Sequence, residues 1–371
     1  MPGLIGLIVN PVAGTGGRVG LHGTDGGPRY AEAVRRGGTA VSPPRAARAL
    51  RRVRLPRSWQ ILAAPGVMGA DLAAECGLDV IALPMSLSAG GLTTAVDTVA
   101  AARLVAEAGA DLLVFAGGDG TARDIASVLP PGLPVVGIPA GVKMRSGVFG
   151  LSPEAAGDVV SEFAHGAGRP LADAEILDAA ADGLRTEFHA VVAAPGRTGR
   201  LAGPKTFTTA GSQAELDALC AATAAELEPG ILYLFGPGST TGQVLGQLGL
   251  RGTALGVDAV RDGQLTGADL SEQQILALMA DAPATRLILG VIGGQGFLLG
   301  RGNQQLGPAV LSRLRPADLV IIATAAKLAA LDPPRLLIDA GDDAAFSSLC
   351  GYHRVRTGPS RYMMMQLATA A

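Results

Sequence analysis

The apolar run Asp111-Leu112-Leu113-Val114-Phe115-Ala116 stops in Gly117-Gly118-Asp119-Gly120-Thr121, and a helical pattern follows at once over residues 122–129. A short strand without polar alternation reads as buried on both faces, as in a parallel sheet covered by helices. Glycines let a ligand come close to the backbone and adopt angles that other residues resist. The helix start behind the loop offers unpaired N–H groups and a positive dipole end to an anion. A carboxylate in such a loop is costly unless it handles a proton or a metal. The combination points to phosphoryl-transfer chemistry.

The rest of the chain repeats the theme of short apolar strands alternating with helical stretches, the pattern of α/β architecture. In the first half the strands fall at residues 4–9, 59–63, 79–83, 111–115 and 135–138, with helices at 45–53, 69–74 and 93–107. Thr93 or Thr94 is positioned to cap the last of these helices. The polar stretch 153–185 reads as a bridge. Beyond it, strands are expected at 188–193, 231–235, 253–257, 286–291, 319–324 and 335–339, and helices at 213–226, 241–248, 271–280, 308–314 and 325–331. A chain of 371 residues is too long for one typical core. We expect an N-terminal parallel-sheet domain over residues 1–152. A second, mixed α/β domain over 153–371 would complete the site, with a C-terminal segment able to return to the first domain.

Composition excludes several function classes. The formal net charge of −2 provides no basic field for a nucleic acid backbone. The arginines between Arg45 and Arg57 read as one solvated helix face. Three cysteines, Cys76, Cys220 and Cys350, lie far apart without metal-ligand spacing, which fits a reducing compartment. Met1-Pro2-Gly3-Leu4 lacks the basic start and apolar core of a signal peptide, and prolines or charges interrupt every long apolar stretch. The expected setting is the cytoplasm, with no membrane and no nucleic acid partner. His22, His165, His189 and His353 share no metal spacing. The 53 glycines are about double the roughly 7% of an average protein and cluster at strand ends, as ligand loops do.

Four further segments carry chemistry-bearing residues. After the first strand comes Asn10-Pro11-Val12-Ala13-Gly14-Thr15-Gly16-Gly17-Arg18, which continues to Asp25-Gly26-Gly27. Backbone donors of such a loop can face a phosphate, with Asn10, Gly14 and Gly16 as the candidate contacts. In Gly117-Gly118-Asp119-Gly120-Thr121, Asp119 suits a general base or a Mg²⁺ contact, and a helix-capping role is the structural alternative. Gly137-Ile138-Pro139-Ala140-Gly141-Val142-Lys143-Met144-Arg145-Ser146 brings Lys143 and Arg145 toward phosphoryl charge. Gly236-Pro237-Gly238-Ser239-Thr240-Thr241 sets glycine N–H groups and hydroxyls at a helix start, an uncharged phosphate cradle. Farther on, the amides of Gly293-Gly294-Gln295-Gly296-Phe297-Leu298-Leu299-Gly300-Arg301-Gly302-Asn303-Gln304-Gln305 could read a base or ribose, or the segment could close a structural hairpin with Arg301 pairing locally. Asp25 and Asp258 are lesser candidates for a metal or substrate contact.

These motifs resemble the NAD kinase, diacylglycerol kinase and phosphofructokinase superfamily through Gly117-Gly118-Asp119-Gly120-Thr121. The loop after the first strand, the 137–143 segment, the 236–241 turn and the 300–305 segment are similar to the ATP-NAD kinase-like branch. That branch includes the AcoX-type proteins associated with acetoin catabolism. The resemblance spans residues 4–305. It implies ATP-dependent phosphorylation of the adenosine 2′-hydroxyl of NAD, with ATP, NAD and Mg²⁺ as the bound species. On it, Asp119 matches the catalytic aspartate and Gly117, Gly118, Gly120 and Thr121 contact nucleotide. Gly238, Ser239, Thr240 and Thr241 look like the family's nucleotide-binding Gly-Ser-Thr-Ala turn. Authentic NAD kinases carry an Asn-Glu pair, early in the second domain, that contacts the dinucleotide. This chain has none, and Asp173, Glu175 and Asp178 lie nearest. A homo-oligomer is expected. A nucleotide-binding regulator without turnover, and a kinase for another small acceptor such as a sugar phosphate, are the alternative functions.

Overall fold

The computed structural model describes residues 3–21, 27–88, 93–142, 144–166, 170–179, 186–196, 200–201, 213–292, 295–339 and 346–370. Lys143, His22, Asp25 and Gly26 lie outside the described residues. The chain divides into two compact units, one of Met1–Gly16 with Gly23–Pro204 and one of Gly17–His22 with Lys205–Ala370.

The first unit runs β1 (Gly3–Val9), α1 (Gly27–Arg35), α2 (Ser42–Arg52), β2 (Trp59–Ala63), α3 (Ala70–Glu75), β3 (Val80–Ala82), α4 (Ala95–Glu107) and β4 (Leu112–Gly117). It continues through α5 (Asp119–Ala126), β5 (Val135–Pro139), α6 (Pro153–His165), β6 (Leu171–Ala179) and β7 (Thr186–Pro195). The five strands β3-β2-β1-β4-β5 form one sheet, and each neighbouring pair is parallel. The pleat sends alternate side chains to opposite faces. Ile5, Leu7, Val9, Leu112, Val114 and Ala116 therefore pack with Ala46, Leu50, Val159 and Val160 of α2 and α6. Ile8, Leu113 and Phe115 face the other way, onto Ala101, Val105, Ala122 and Ile125 of α4 and α5. Both sheet faces are covered, which is why these strands are apolar throughout.

Strand order decides where a ligand can sit. The chain builds β1, β2 and β3 outward in one direction, then crosses to lay β4 and β5 on the opposite side of β1. The carboxyl ends of β1 and β4 are thus the switch point, the usual ligand-binding position in an open parallel sheet.

The 153–185 stretch corrects the sequence reading, because it holds a helix and a strand rather than a bridge. Pro153 opens α6, and Ser152 caps it by accepting from the Ala155 N–H at 3.0 Å. β6 and β7 form an antiparallel pair whose Ala174, Ile176 and Ala194 pack on the α4–α5 face. Helix α1 has no counterpart in the sequence reading. Thr94, one of the two expected caps, does start α4, and the Asp97 carboxylate accepts from its N–H at 2.7 Å.

The second unit holds α7 (Gln213–Ala225), β8 (Leu232–Phe235), α8 (Ser239–Gln247), β9 (Asp258–Arg261), β10 (Gln264–Gly267), α9 (Glu272–Ala280) and β11 (Thr285–Gly290). It ends with β12 (Phe297–Leu299), α10 (Pro308–Leu311), β13 (Leu319–Ile322), α11 (Ala325–Ala329), β14 (Leu336–Ile338), β15 (Gly351–Arg356) and β16 (Tyr362–Thr369). Among the described residues its mixed sheet has nine strands in the order β10-β9-β8-β11-β13-β15-β16-β14-β12. Strands β8, β11, β13 and β15 run parallel, and β9 and β16 turn antiparallel beside them. The strand expected at 253–257 lies instead at Asp258–Arg261. It pairs with β8 and β10, and Thr253 is drawn back to hydrogen-bond the buried Asp258.

Candidate functional site

At the switch point of the first unit the backbone of Asn10 extends the β1–β4 ladder by one step, its N–H donating to the Ala116 carbonyl at 2.9 Å. The Asn10 side chain then works in two directions. Its Oδ1 accepts from the Val12 N–H at 3.2 Å, and its Nδ2 donates to the Thr121 hydroxyl at 3.0 Å. The loop that follows folds back on itself, and Gly14 takes a positive φ of 80°. A Cβ there would lie 2.4 Å from the Ala140 carbonyl oxygen, so only glycine fits. Gly14, Thr15 and Gly16 are buried.

The turn from β4 into α5 is equally tight. A Cβ on Gly117 would meet the Thr121 hydroxyl oxygen at 2.5 Å. Gly118 is the extended residue that precedes the helix, and its carbonyl accepts from Ala122 at 3.0 Å. Gly118 and Gly120 are half-buried, whereas Thr121 is buried. Asn10, Gly117, Gly118, Asp119, Gly120 and Thr121 are therefore brought together, with Gly14 and Gly16 in the adjoining loop.

Asp119 is the first residue of α5 and only 5% exposed. Its carboxylate does not cap its own helix. The Arg145 N–H donates to both carboxylate oxygens, at 2.9 and 2.8 Å. Ser146 adds its N–H at 3.0 Å and its hydroxyl at 2.8 Å, both to Oδ1. Burial pushes the Asp119 carboxyl up to about 7, against the lowering pull of these donors, and the nearby negative charge of Asp178 adds to the rise. An acid in this condition changes protonation near neutral pH, as a general base must. A general base must be within reach of the hydroxyl whose proton it takes. In this conformation the carboxylate is instead turned into the 144–146 segment.

The sequence reading has Arg145 offer its guanidinium to phosphate. It is buried, its backbone holds Asp119, and its Nη1 lies 3.5 Å from the Asp178 carbonyl oxygen. Of the three acids nearest the absent Asn-Glu pair, Asp173 and Glu175 are exposed on β6. Asp178 is half-buried and pairs with Arg123 of α5 at 2.6 Å. Sequence reasoning misses Ser146. It stands in a quoted motif, but its partners Asp119 and Leu177 lie 27 and 31 residues away.

In the second unit, Gly238 precedes α8 with a φ of 139°, and its N–H donates to the Ala254 carbonyl at 3.1 Å. Ser239 is exposed, whereas Thr240 and Thr241 are buried and Thr241 donates to the Gly238 carbonyl at 2.9 Å. Ser239 is the hydroxyl of this turn that a ligand can reach. The 300–305 segment spends its amides internally. Asn303 accepts from the Gly300 N–H at 2.7 Å and donates to the Leu298 carbonyl at 3.0 Å. Arg301 pairs with Asp339 at 3.1 Å and stacks over Phe297 at 4.0 Å. Asp258 is 1% exposed and accepts from Thr253 and from the Asp269 N–H at 3.0 Å, a structural role. His353 is likewise internal, 2.7 Å from the Leu349 carbonyl oxygen.

Among the described residues no group of three His, Cys, Asp or Glu side chains forms a metal cage. The Asp119 oxygens face N–H and O–H donors, which favour the ionised form and occupy both oxygens. Among the described residues, no helix is long and apolar enough to cross a membrane.

Residues 42–167 match the ATP-NAD kinase N-terminal domain, and residues 229–367 match the ATP-NAD kinase C-terminal domain. No curated protein and no solved structure matches the chain significantly.

Proposed function

The chain belongs to the ATP-NAD kinase family, whose domains are those of kinase-type phosphotransferases, and from that premise we propose that it phosphorylates the 2′-hydroxyl of NAD with ATP to give NADP. The observation that carries this reading is Asp119, a carboxyl held at the switch point of a parallel sheet and pushed up to about 7 by burial. In the proposed reaction the acceptor oxygen forms a bond to the γ-phosphorus as the bond to the β,γ-bridging oxygen breaks. Asp119 receives the hydroxyl proton. Mg²⁺ would arrive on the ATP phosphates and neutralise their charge. Gly14 and Gly16, the α5 N-terminus with Gly118, Gly120 and Thr121, and Lys143 are the proposed nucleotide contacts. In the second unit Gly238, Ser239, Thr240 and Thr241 are the proposed phosphate-binding turn, with Ser239 as its open hydroxyl.

Turnover makes one demand on the geometry. Arg145 and Ser146 must loosen their grip before an acceptor hydroxyl can reach the Asp119 oxygens. The same grip favours a second reading, a nucleotide-binding regulator without turnover. Incubating the purified protein with ATP, Mg²⁺ and NAD and quantifying NADP separates the two: product supports the kinase, and tight nucleotide binding without product supports the regulator. ATP consumption with a sugar phosphate but not with NAD would assign another acceptor. The 6–11, 137–143, 236–241 and 300–305 motifs together support the AcoX-type branch, and cytoplasmic residence as a homo-oligomer belongs to the same proposal.

A further inference from the structure

The Ser146 hydroxyl is fully buried and sits among three polar groups. It accepts from the Leu177 N–H at 3.0 Å, lies 2.9 Å from the Leu177 carbonyl oxygen and lies 2.8 Å from Asp119 Oδ1. A serine hydroxyl carries one proton, so it donates to one of these two acceptors at a time. The neighbouring Gly147 N–H donates to the Glu175 carbonyl at 2.9 Å, which holds the segment alongside β6. The β6–β7 register shifts between Ile176 and Leu177, at the place where Leu177 turns both its backbone polar groups to Ser146. The shift leaves His189 of β7 without a partner in the ladder, between Ala190 and Phe188.

We propose that Ser146 is a positioning residue for Asp119, and that its single proton is exchanged between the acid and the Leu177 carbonyl according to the charge on the acid. When Asp119 is ionised, Ser146 donates to it and holds the carboxylate in place. When Asp119 takes a proton, its demand for donors falls, and the Ser146 hydroxyl rotates to the Leu177 carbonyl. No proton leaves Ser146 in either state. The β6–β7 pair thereby senses whether the acid is charged. The role of Asp119 in transfer rests on the proposed kinase reading, but the exchange itself needs only the three groups and their geometry.

Among the described residues, the charged group that acts directly on Asp119 is Asp178 of β6, itself paired with Arg123 of α5. Arg145 lies on the 144–146 segment, Asp178 on β6, and Arg123 and Asp124 on α5, where Arg123 joins the two acids at 2.6 and 3.1 Å. Asp178 opposes ionisation of Asp119, and the Ser146 donor favours it.

The test is a pH titration of the ligand-free full chain by carbon-13 NMR, labelled at the aspartate carboxyls and leucine carbonyls. In the wild-type protein the Leu177 carbonyl resonance should move with the same midpoint as the Asp119 carboxyl. In Ser146→Ala the Asp119 midpoint should rise by about one pH unit, the loss of one hydrogen bond to a charged group. The Leu177 resonance should then no longer follow it, and Asp119→Asn should flatten the Leu177 titration in an otherwise wild-type chain. A Leu177 resonance indifferent to pH in the wild-type protein, or an unmoved Asp119 midpoint in Ser146→Ala, would overturn the proposal. Neither measurement depends on turnover, so a protein that made no NADP would still test the exchange.

Discussion

The side-chain amide of Asn10 donates to the hydroxyl of Thr121 at 3.0 Å, across 111 residues of chain. One hydrogen bond thus fixes the loop after β1 to the first turn of α5, and the two glycine-rich segments are held in register by it. Thr121→Val removes the acceptor at nearly constant volume. It should cost about 1–2 kcal/mol in urea denaturation and weaken nucleotide binding more than it slows turnover, which a KM-against-kcat comparison would show.

Gly14 provides a second check on the same loop. Its φ of 80°, and an Ala140 carbonyl oxygen 2.4 Å from where a Cβ would stand, leave no room for a side chain. Gly14→Ala should destabilise the first unit by about 1–3 kcal/mol and raise the KM for ATP. Equal stability and unchanged binding would show that the loop does not need its present shape.

Asp119 also governs a pH dependence of stability. Its folded-state value, about 7, lies above the ordinary 3.8. Between those values the folded chain holds a proton that the unfolded chain has lost. The contribution is therefore fully present below about 3.8 and disappears as pH rises through about 7. The urea midpoint of the wild type should fall from pH 5 to pH 8 relative to that of D119N. A difference that stayed constant, or grew the other way, would mean that the folded acid is ionised throughout.

Arg301 and Asp339 form an ion pair whose side chains are 1% and 4% exposed. Replacing Arg301 by Met leaves the Asp339 carboxylate buried without this cation. A loss of about 3–5 kcal/mol is expected in denaturation of the second unit. A loss below about 1 kcal/mol would place the pair among exposed bridges of little worth.

Much of the first unit is legible in the sequence because burial on both sheet faces leaves a plain mark. Trp59–Ala63 is a strand to the residue as expected, and β1, β4 and β5 differ from expectation only at their ends. Helix α6 escapes because the stretch around it reads as polar and weakly patterned, although Ser152 and Pro153 carry the start signal. The strand placed at 253–257 is displaced by Asp258, whose buried carboxylate organises Thr253 and Asp269 around it. In the candidate site the glycines and Asp119 are readable from local pattern alone. The partners of Asp119 are not. Arg145 and Ser146 reach it only after β4 and β5 pair and carry their following loops side by side, a tertiary event with no local trace. Of the two readings left open for the 300–305 amides, the internal contacts fit the structural one, since positive-φ turns at Gly300 and Gly302 draw Asn303 inward to close the loop.

The most direct test compares NADP formation from ATP, Mg²⁺ and NAD by the purified wild type and D119N. The wild type should make NADP, and D119N should do so at least about 100-fold more slowly while keeping its fold. NADP formed at equal rates by both proteins, or by neither, would contradict the assignment of Asp119 as the base of an NAD kinase.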